Sequence, residues 1–159
     1  MKPPFGTFKV NCDGAWCSST GVGGFGWVVR DFARIFQDDG GVRNVRCVSS
    51  VMAETKALRA ALVACVERGF GVVQVETDSK VLLDMINGIL QPEAVLEGIL
   101  WDVNHIKQQF YSVQFLYAPR ACNEASYVMR MGDSHLWDGL EPERLFNTLA
   151  TDVNISIRI

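Results

Sequence analysis

Apolar and polar residues alternate over the first third of the chain with the two-residue period of β-strands. One strand is predicted over residues 7–12, ending at the turn pair Asp13-Gly14, and a second over residues 21–30, which begins in a glycine-rich stretch. Short connections between such strands predict an antiparallel start to the sheet. Two weaker strands are predicted next, separated by a turn at Asp-Asp-Gly-Gly: residues 34–37 and 45–49, with the turn at 38–41.

The apolar spacing changes to a helical period after residue 50. A helix over residues 51–68 is predicted because apolar side chains recur every three or four positions from Ala57 to Cys65, and Gly69 follows where a helix ends. A strand, a helix and a second strand in succession predict a parallel crossover, and hence an α/β fold. The remaining predicted elements are strands at 71–76 and 112–117 and helices at 79–86, 93–110 and 122–131.

Length and composition fit one globular domain. The chain has 159 residues, of which 48% are hydrophobic, and its net charge of −3 excludes a general basic surface of the kind that dominates phosphate binding. Five cysteines without a CxxC pair argue against a disulfide framework and a zinc ribbon, and they favour an intracellular location, cytoplasmic or nuclear. No stretch of about 20 apolar residues predicts a membrane span.

Three carboxylates stand at positions where α/β proteins build sites. Asp13 is predicted at the end of the first strand, Glu54 in the first turn of the main helix, and Asp78 at the end of the central parallel strand. Each also has a structural explanation: Asp-Gly is a common turn pair, Glu suits a helix N-terminus, and Asp78 could cap the helix that follows. Their combination favours a shared site.

The segments around these carboxylates resemble the successive motifs of ribonuclease H. The order and spacing also match, and a last motif at residues 119–125 is similar to that of the plant subfamily related to retrotransposon reverse transcriptases. The resemblance covers residues 7–131, so residues 1–6 are expected to be a linker or flexible N-terminus and residues 132–159 a C-terminal tail. The matching segments are KVNCDGA (9–15), GGFGWVVRD (23–31), AETKAL (53–58) and ETDSK (76–80).

The resemblance implies a ribonuclease H-like α/β fold: a five-stranded mixed sheet, with strands 1–3 antiparallel and helices on both faces. It implies an acidic site for two Mg²⁺ ions, with Mn²⁺ as a substitute, that hydrolyses the RNA strand of an RNA–DNA hybrid. By the same resemblance Asp13 would bridge the ions, while Glu54 and Asp78 would serve the leaving-group ion. A monomer is expected.

Two positions depart from the family pattern. Tyr127 stands where a fourth acidic ligand is expected, and a neutral phenol is a poor replacement for a carboxylate. Tyr117 stands where the family often has a histidine thought to assist proton transfer or product release. Three functions therefore stay open: a ribonuclease with impaired activity, a catalytically inactive nucleic-acid-binding domain, and, with the least support, a protein-interaction module.

Polar loop positions are candidates for contacts with sugar and phosphate, since hydroxyls and free backbone N–H groups suit such contacts. Ordinary loop polarity would explain the same residues. By position in the family motifs, the candidates are Gly14, Ser19, Ser49, Ser50 and Asn123.

Overall fold

The computed structural model describes residues 6–119. The eight elements follow one another as three strands, a helix, a strand, two helices and a strand. Their bounds are β1 (Phe8–Cys17), β2 (Val22–Arg30), β3 (Phe36–Arg46), α1 (Ser50–Glu67), β4 (Val72–Thr77), α2 (Lys80–Ile86), α3 (Ala94–Lys107) and β5 (Ser112–Tyr117).

The strands form one five-stranded sheet in the order β3-β2-β1-β4-β5. β2 pairs antiparallel with both β1 and β3, whereas β4 pairs parallel with both β1 and β5. The predicted mixed sheet with three antiparallel strands is therefore confirmed. The helix predicted at 122–131 lies outside the described residues.

The third strand differs from its prediction. In place of two short strands and a turn at 38–41, β3 runs unbroken from Phe36 to Arg46 and pairs with β2 through all four residues of the expected turn. The reason is a side-chain contact: a Cβ on Gly40 would lie 2.1 Å from the ring of Trp27, its partner in β2. Gly40 thus makes room for an indole ring inside a strand, which local sequence cannot reveal.

The first strand also extends further than predicted. Asp13 and Gly14 do not end β1; they pair with Gly26 and Phe25, and the strand continues to Cys17. The long antiparallel partner β2 keeps this stretch hydrogen-bonded, so the Asp-Gly pair lies within the ladder.

Helix α1 provides most of the helical core. Ser49 caps it by accepting a hydrogen bond from the Met52 amide at 3.1 Å, and Gly69 follows its end with φ +75°. Its apolar stripe, which includes the fully buried Leu58 and Leu62, packs against β1 and β2, while α3 packs against α1. No helix in the described part is both long and apolar enough to cross a membrane.

Candidate metal centre

Three carboxylates from different elements meet at one point of the fold. Asp13, Glu54 and Asp78 each offer an oxygen atom, and these atoms all lie within 4.8 Å of one another. Asp13 is buried, whereas Glu54 and Asp78 are half-buried. The three side chains therefore lie together, as predicted, although Asp13 and Asp78 are 65 residues apart in the sequence.

Parallel pairing brings Asp13 beside Asp78. The β1–β4 register ends with Asn11 opposite Glu76; two residues further along the chain, Asp13 lies within β1 and Asp78 lies one residue beyond the end of β4. Asp78 follows the last residue of β4, as predicted, but Ser79, and not Asp78, caps α2 by accepting from the Leu82 amide. The carboxylate of Asp78 is therefore not needed to cap the helix.

Close backbone contact brings Glu54 to the same point. Glu54 is the fifth residue of α1, so the prediction that it lies in the first turn is wrong, and the helix N-terminus does not explain its place. A Cβ on Gly14 would lie 2.7 Å from both the Ala53 carbonyl carbon and the Glu54 nitrogen. Only glycine lets α1 approach β1 this closely, and this approach carries Glu54 to Asp13.

The site has a strongly negative electrostatic field. Burial raises the pKa of the neighbouring Cys12 thiol well above 9.0, and the charges of Asp13, Glu54 and Asp78 raise it further. The Gly14 N–H donates a hydrogen bond to Asp13 Oδ1 at 2.9 Å, which stabilises the charge of that carboxylate. Three crowded carboxylates favour a bound cation, because a cation relieves their mutual repulsion.

The donor set fits a hard divalent cation. Carboxylate oxygens are the ligands that Mg²⁺ and Ca²⁺ prefer, whereas zinc sites in proteins are usually built from Cys and His. The half-exposed Glu54 and Asp78 leave one side of the cluster open to solvent. The cluster can therefore hold a divalent ion that keeps some of its coordination positions for water or substrate.

The other predicted site residues have varied placements. Ser49 is the cap of α1 and Ser50 its first residue, Ser19 contacts the Cys17 thiol at 3.0 Å, and Gly14 lies against α1. The contacts of Ser49, Ser19 and Gly14 give these three residues a structural role. Asn123 and Tyr127 lie outside the described residues.

Tyr117 is the last residue of β5 and is exposed. It pairs with Thr77, which directly precedes Asp78. The position that the resemblance assigns to a histidine is therefore at the same edge of the sheet as the carboxylates.

A buried polar group beside the carboxylates was not predicted from the sequence. Lys9, Asn11 and Glu76 are all less than 8% exposed, and both Lys9 and Asn11 on β1 contact Glu76 on β4. Lys9 and Glu76 are visible in the sequence as charged residues inside two predicted strands, residues 7–12 and 71–76. Their contact could not be predicted without the β1–β4 register.

Comparison with known proteins agrees with this architecture. The RNase H1 of the archaeon Halobacterium salinarum superposes with a TM-score of 0.67 at 23% identity, over 80% of this chain and 99% of that protein. The N-terminal RNase H domain of a Mycobacterium tuberculosis protein gives a TM-score of 0.67 at 21% identity, with the same coverages of 80% and 99%.

An RNase H1 called LC11, crystallised with an RNA/DNA hybrid, gives a TM-score of 0.63 at 21% identity, over 72% of this chain and 86% of that one. A search of curated protein sequences finds no match. The family model described as reverse transcriptase-like matches residues 11–129, which is more than half of the chain. The predicted family resemblance is thus confirmed, and the chain belongs to the reverse transcriptase-like family, with a ribonuclease H-like fold.

Proposed function

We propose that this protein is a metal-dependent ribonuclease H-type endoribonuclease that hydrolyses the RNA strand of RNA–DNA hybrids. The observation that carries the proposal is the convergence of Asp13, Glu54 and Asp78, whose oxygens lie within 4.8 Å of one another. No packing requirement explains three carboxylates gathered from two strands and a helix, because their mutual repulsion costs stability when no cation is bound. Metal binding explains it.

Family membership and the solved structures support the substrate class. The similar LC11 RNase H1 was crystallised with an RNA/DNA hybrid. An acidic protein can bind such a polyanion where divalent cations reverse the local sign of the charge. The net charge of −3 is therefore compatible with a nucleic-acid substrate.

The residues of the chain have distinct roles in this proposal. Asp13 is buried and held by the Gly14 N–H, so its carboxylate is oriented before an ion arrives. Glu54 and Asp78 complete the ligand set from the more exposed side. Two bound Mg²⁺ ions, or Mn²⁺ in their place, would supply a nucleophile from water at neutral pH and stabilise charge on the leaving oxygen.

The nucleic acid is proposed to contact five polar or small residues, and the chain is proposed to act as a monomer. The active domain is proposed to span residues 7–131, with a linker at residues 1–6 and a tail at residues 132–159. We also propose that it belongs to the plant subfamily related to retrotransposon reverse transcriptases. The proposed contacts are Gly14, Ser19, Ser49, Ser50 and Asn123.

A second candidate function is a nucleic-acid-binding domain without catalysis. The observation that favours it is Tyr127, which occupies the position of a fourth acidic ligand in the family pattern. A phenol with an ordinary pKa of about 10 is neutral at pH 7 and leaves the nucleophile-side ion with one charged ligand fewer.

Cleavage of a labelled RNA–DNA hybrid separates the two functions. The unmodified chain should cleave slowly in Mg²⁺, and Tyr127→Asp should raise the rate because it restores a charged ligand. Asp78→Asn added to Tyr127→Asp should abolish the gain. Hybrid binding without cleavage in every variant would favour the binding domain, whereas efficient cleavage that Tyr127→Asp does not increase would show that another group has the fourth role.

A further inference from the structure

A buried charge network joins the two strands that carry Asp13 and Asp78. Lys9 Nζ on β1 forms an ion pair with Glu76 Oε1 on β4, and Asn11 Nδ2 donates to Glu76 Oε2 at 2.9 Å. Lys9, Asn11 and Glu76 are 2%, 2% and 7% exposed. Both oxygens of one carboxylate on β4 are thus bound by side chains from β1.

This network lies directly behind the carboxylate cluster. Asn11 and Asp13 are two residues apart in β1 and therefore share a face of the sheet, while Glu76 lies in β4 two residues before Asp78, which is the first residue beyond that strand. Asn11 and Glu76 are also direct partners in the β1–β4 register. The Asn11–Glu76 hydrogen bond therefore joins the two strands two residues before each of the two ligands.

A hydrogen bond at this place can fix the relative position of β1 and β4 more narrowly than apolar packing does. Apolar contacts hold two strands together but tolerate small shifts, whereas a hydrogen bond fixes the distance and direction between two atoms. A metal site requires its ligands within a few tenths of an ångström. A buried carboxylate also needs a counter-charge, which Lys9 supplies.

We propose that Glu76 is a positioning residue for the metal centre: through its bond to Asn11 it sets the spacing of Asp13 and Asp78, while Lys9 neutralises its charge. This inference rests on the proposed function, because it assumes that the carboxylates hold divalent ions. Glu76 itself does not contact the ion or the substrate.

The test compares two double variants that leave net charge unchanged. Lys9→Met with Glu76→Leu removes the ion pair and the bond to Asn11, whereas Lys9→Met with Glu76→Gln keeps an acceptor for Asn11. Mn²⁺ binding is measured by electron paramagnetic resonance on the full chain. The Leu variant should bind Mn²⁺ roughly 10-fold more weakly, and the Gln variant should recover most of that loss.

Controls separate positioning from general stability. Gln74→Leu with Gln114→Leu removes an exposed side-chain bond between β4 and β5 and should leave Mn²⁺ affinity unchanged. Thermal melts of every variant report stability. If the Leu double variant does not fold, Asn11→Leu removes the same bond, leaves the ion pair in place and should weaken Mn²⁺ binding in the same way.

Asp13→Asn distinguishes failure of the metal site from failure of the positioning role of Glu76. Unchanged Mn²⁺ affinity in Asp13→Asn would overturn the metal site and the proposed function with it. Weak binding in Asp13→Asn, together with full affinity in the folded Leu double variant or in Asn11→Leu, would overturn the positioning role alone. Equal losses in the Leu and Gln double variants would also overturn it, because the bond to Asn11 would then not matter.

Discussion

The backbone of Gly14 lies against the backbone of Glu54, so that a Cβ on Gly14 would be 2.7 Å from the Glu54 nitrogen. This contact connects the core to the site. It sets how closely α1 approaches β1, and thereby places the Glu54 carboxylate near that of Asp13.

Gly14→Ala should therefore affect both stability and metal binding. The new methyl group meets backbone atoms of α1, which cannot move aside as a side chain could, so the helix must shift away from β1. We expect a loss of about 1–3 kcal/mol in the free energy of unfolding, as for other overpacked sites. Stabilisation by Mg²⁺ should also decrease, which melts with and without Mg²⁺ will measure.

Gly98→Ala is the matched control. Gly98 lies in α3 with no atom within 4 Å of an added Cβ, so alanine should raise the free energy of unfolding by about 0.5–1 kcal/mol. Its response to Mg²⁺ should equal that of the unmodified chain. A Gly14→Ala variant that keeps full stability and a full response to Mg²⁺ would contradict the role given to this contact.

Gly40→Ala should destabilise the sheet through Trp27. The added methyl would lie 2.1 Å from a ring carbon of Trp27, and the rigid indole must move to accommodate it. We expect a cost of about 1–3 kcal/mol in denaturant unfolding. Replacing Trp27 with Leu should remove most of this cost, so a double-mutant cycle should give a clear coupling energy; strictly additive effects would argue against the contact.

Cys17 is 6% exposed, and its thiol should lose its proton at a lower pH than the thiols of the other described cysteines, which alkylation at several pH values can report. Hydrogen bonds from the side chains of Ser19 and Thr20 lower its pKa from 9.0 to about 7. The reactive thiolate therefore predominates above pH 7 and is lost below it. Burial raises the pKa of Cys65 to about 12 and that of Cys12 well above 9.0, so neither should react at neutral pH.

Mass spectrometry of peptides alkylated at several pH values resolves each cysteine and gives the midpoint for Cys17. Ser19→Ala should shift this midpoint upward, because the hydroxyl at 3.0 Å from the sulfur is removed. A midpoint near 9.0 in the unmodified chain would show that the hydroxyls do not stabilise the thiolate.

The sequence predicted the bounds of β5 and α1 to within one residue. β5 was predicted at 112–117 and is observed at Ser112–Tyr117; α1 was predicted at 51–68 and is observed at Ser50–Glu67. In α1 a regular apolar period and a terminal glycine both indicate the same helix. Where local signals agree, the sequence is sufficient.

The failures share a physical cause, which is contact between residues distant in sequence. Gly40 looked like a turn residue because its contact with Trp27 is tertiary, and Asp13-Gly14 looked like a strand end because the length of β2 is not visible in β1. The same limit applies to the site. Motif resemblance indicated the three carboxylates, but the Gly14–Glu54 contact that brings one of them into place is visible only in the structure.

The central claim is that Asp13, Glu54 and Asp78 form a divalent-metal site, and thermal melts with and without Mg²⁺ test it most directly. Mg²⁺ at about 100 times its dissociation constant should stabilise the unmodified chain by about 2.7 kcal/mol, or roughly 5–10 °C in melting temperature. Asp13→Asn should melt no lower than the unmodified chain without Mg²⁺, because one repelling charge is gone, and should lose most of the Mg²⁺ response. Equal melting temperatures of the unmodified chain with and without saturating Mg²⁺ would contradict the account.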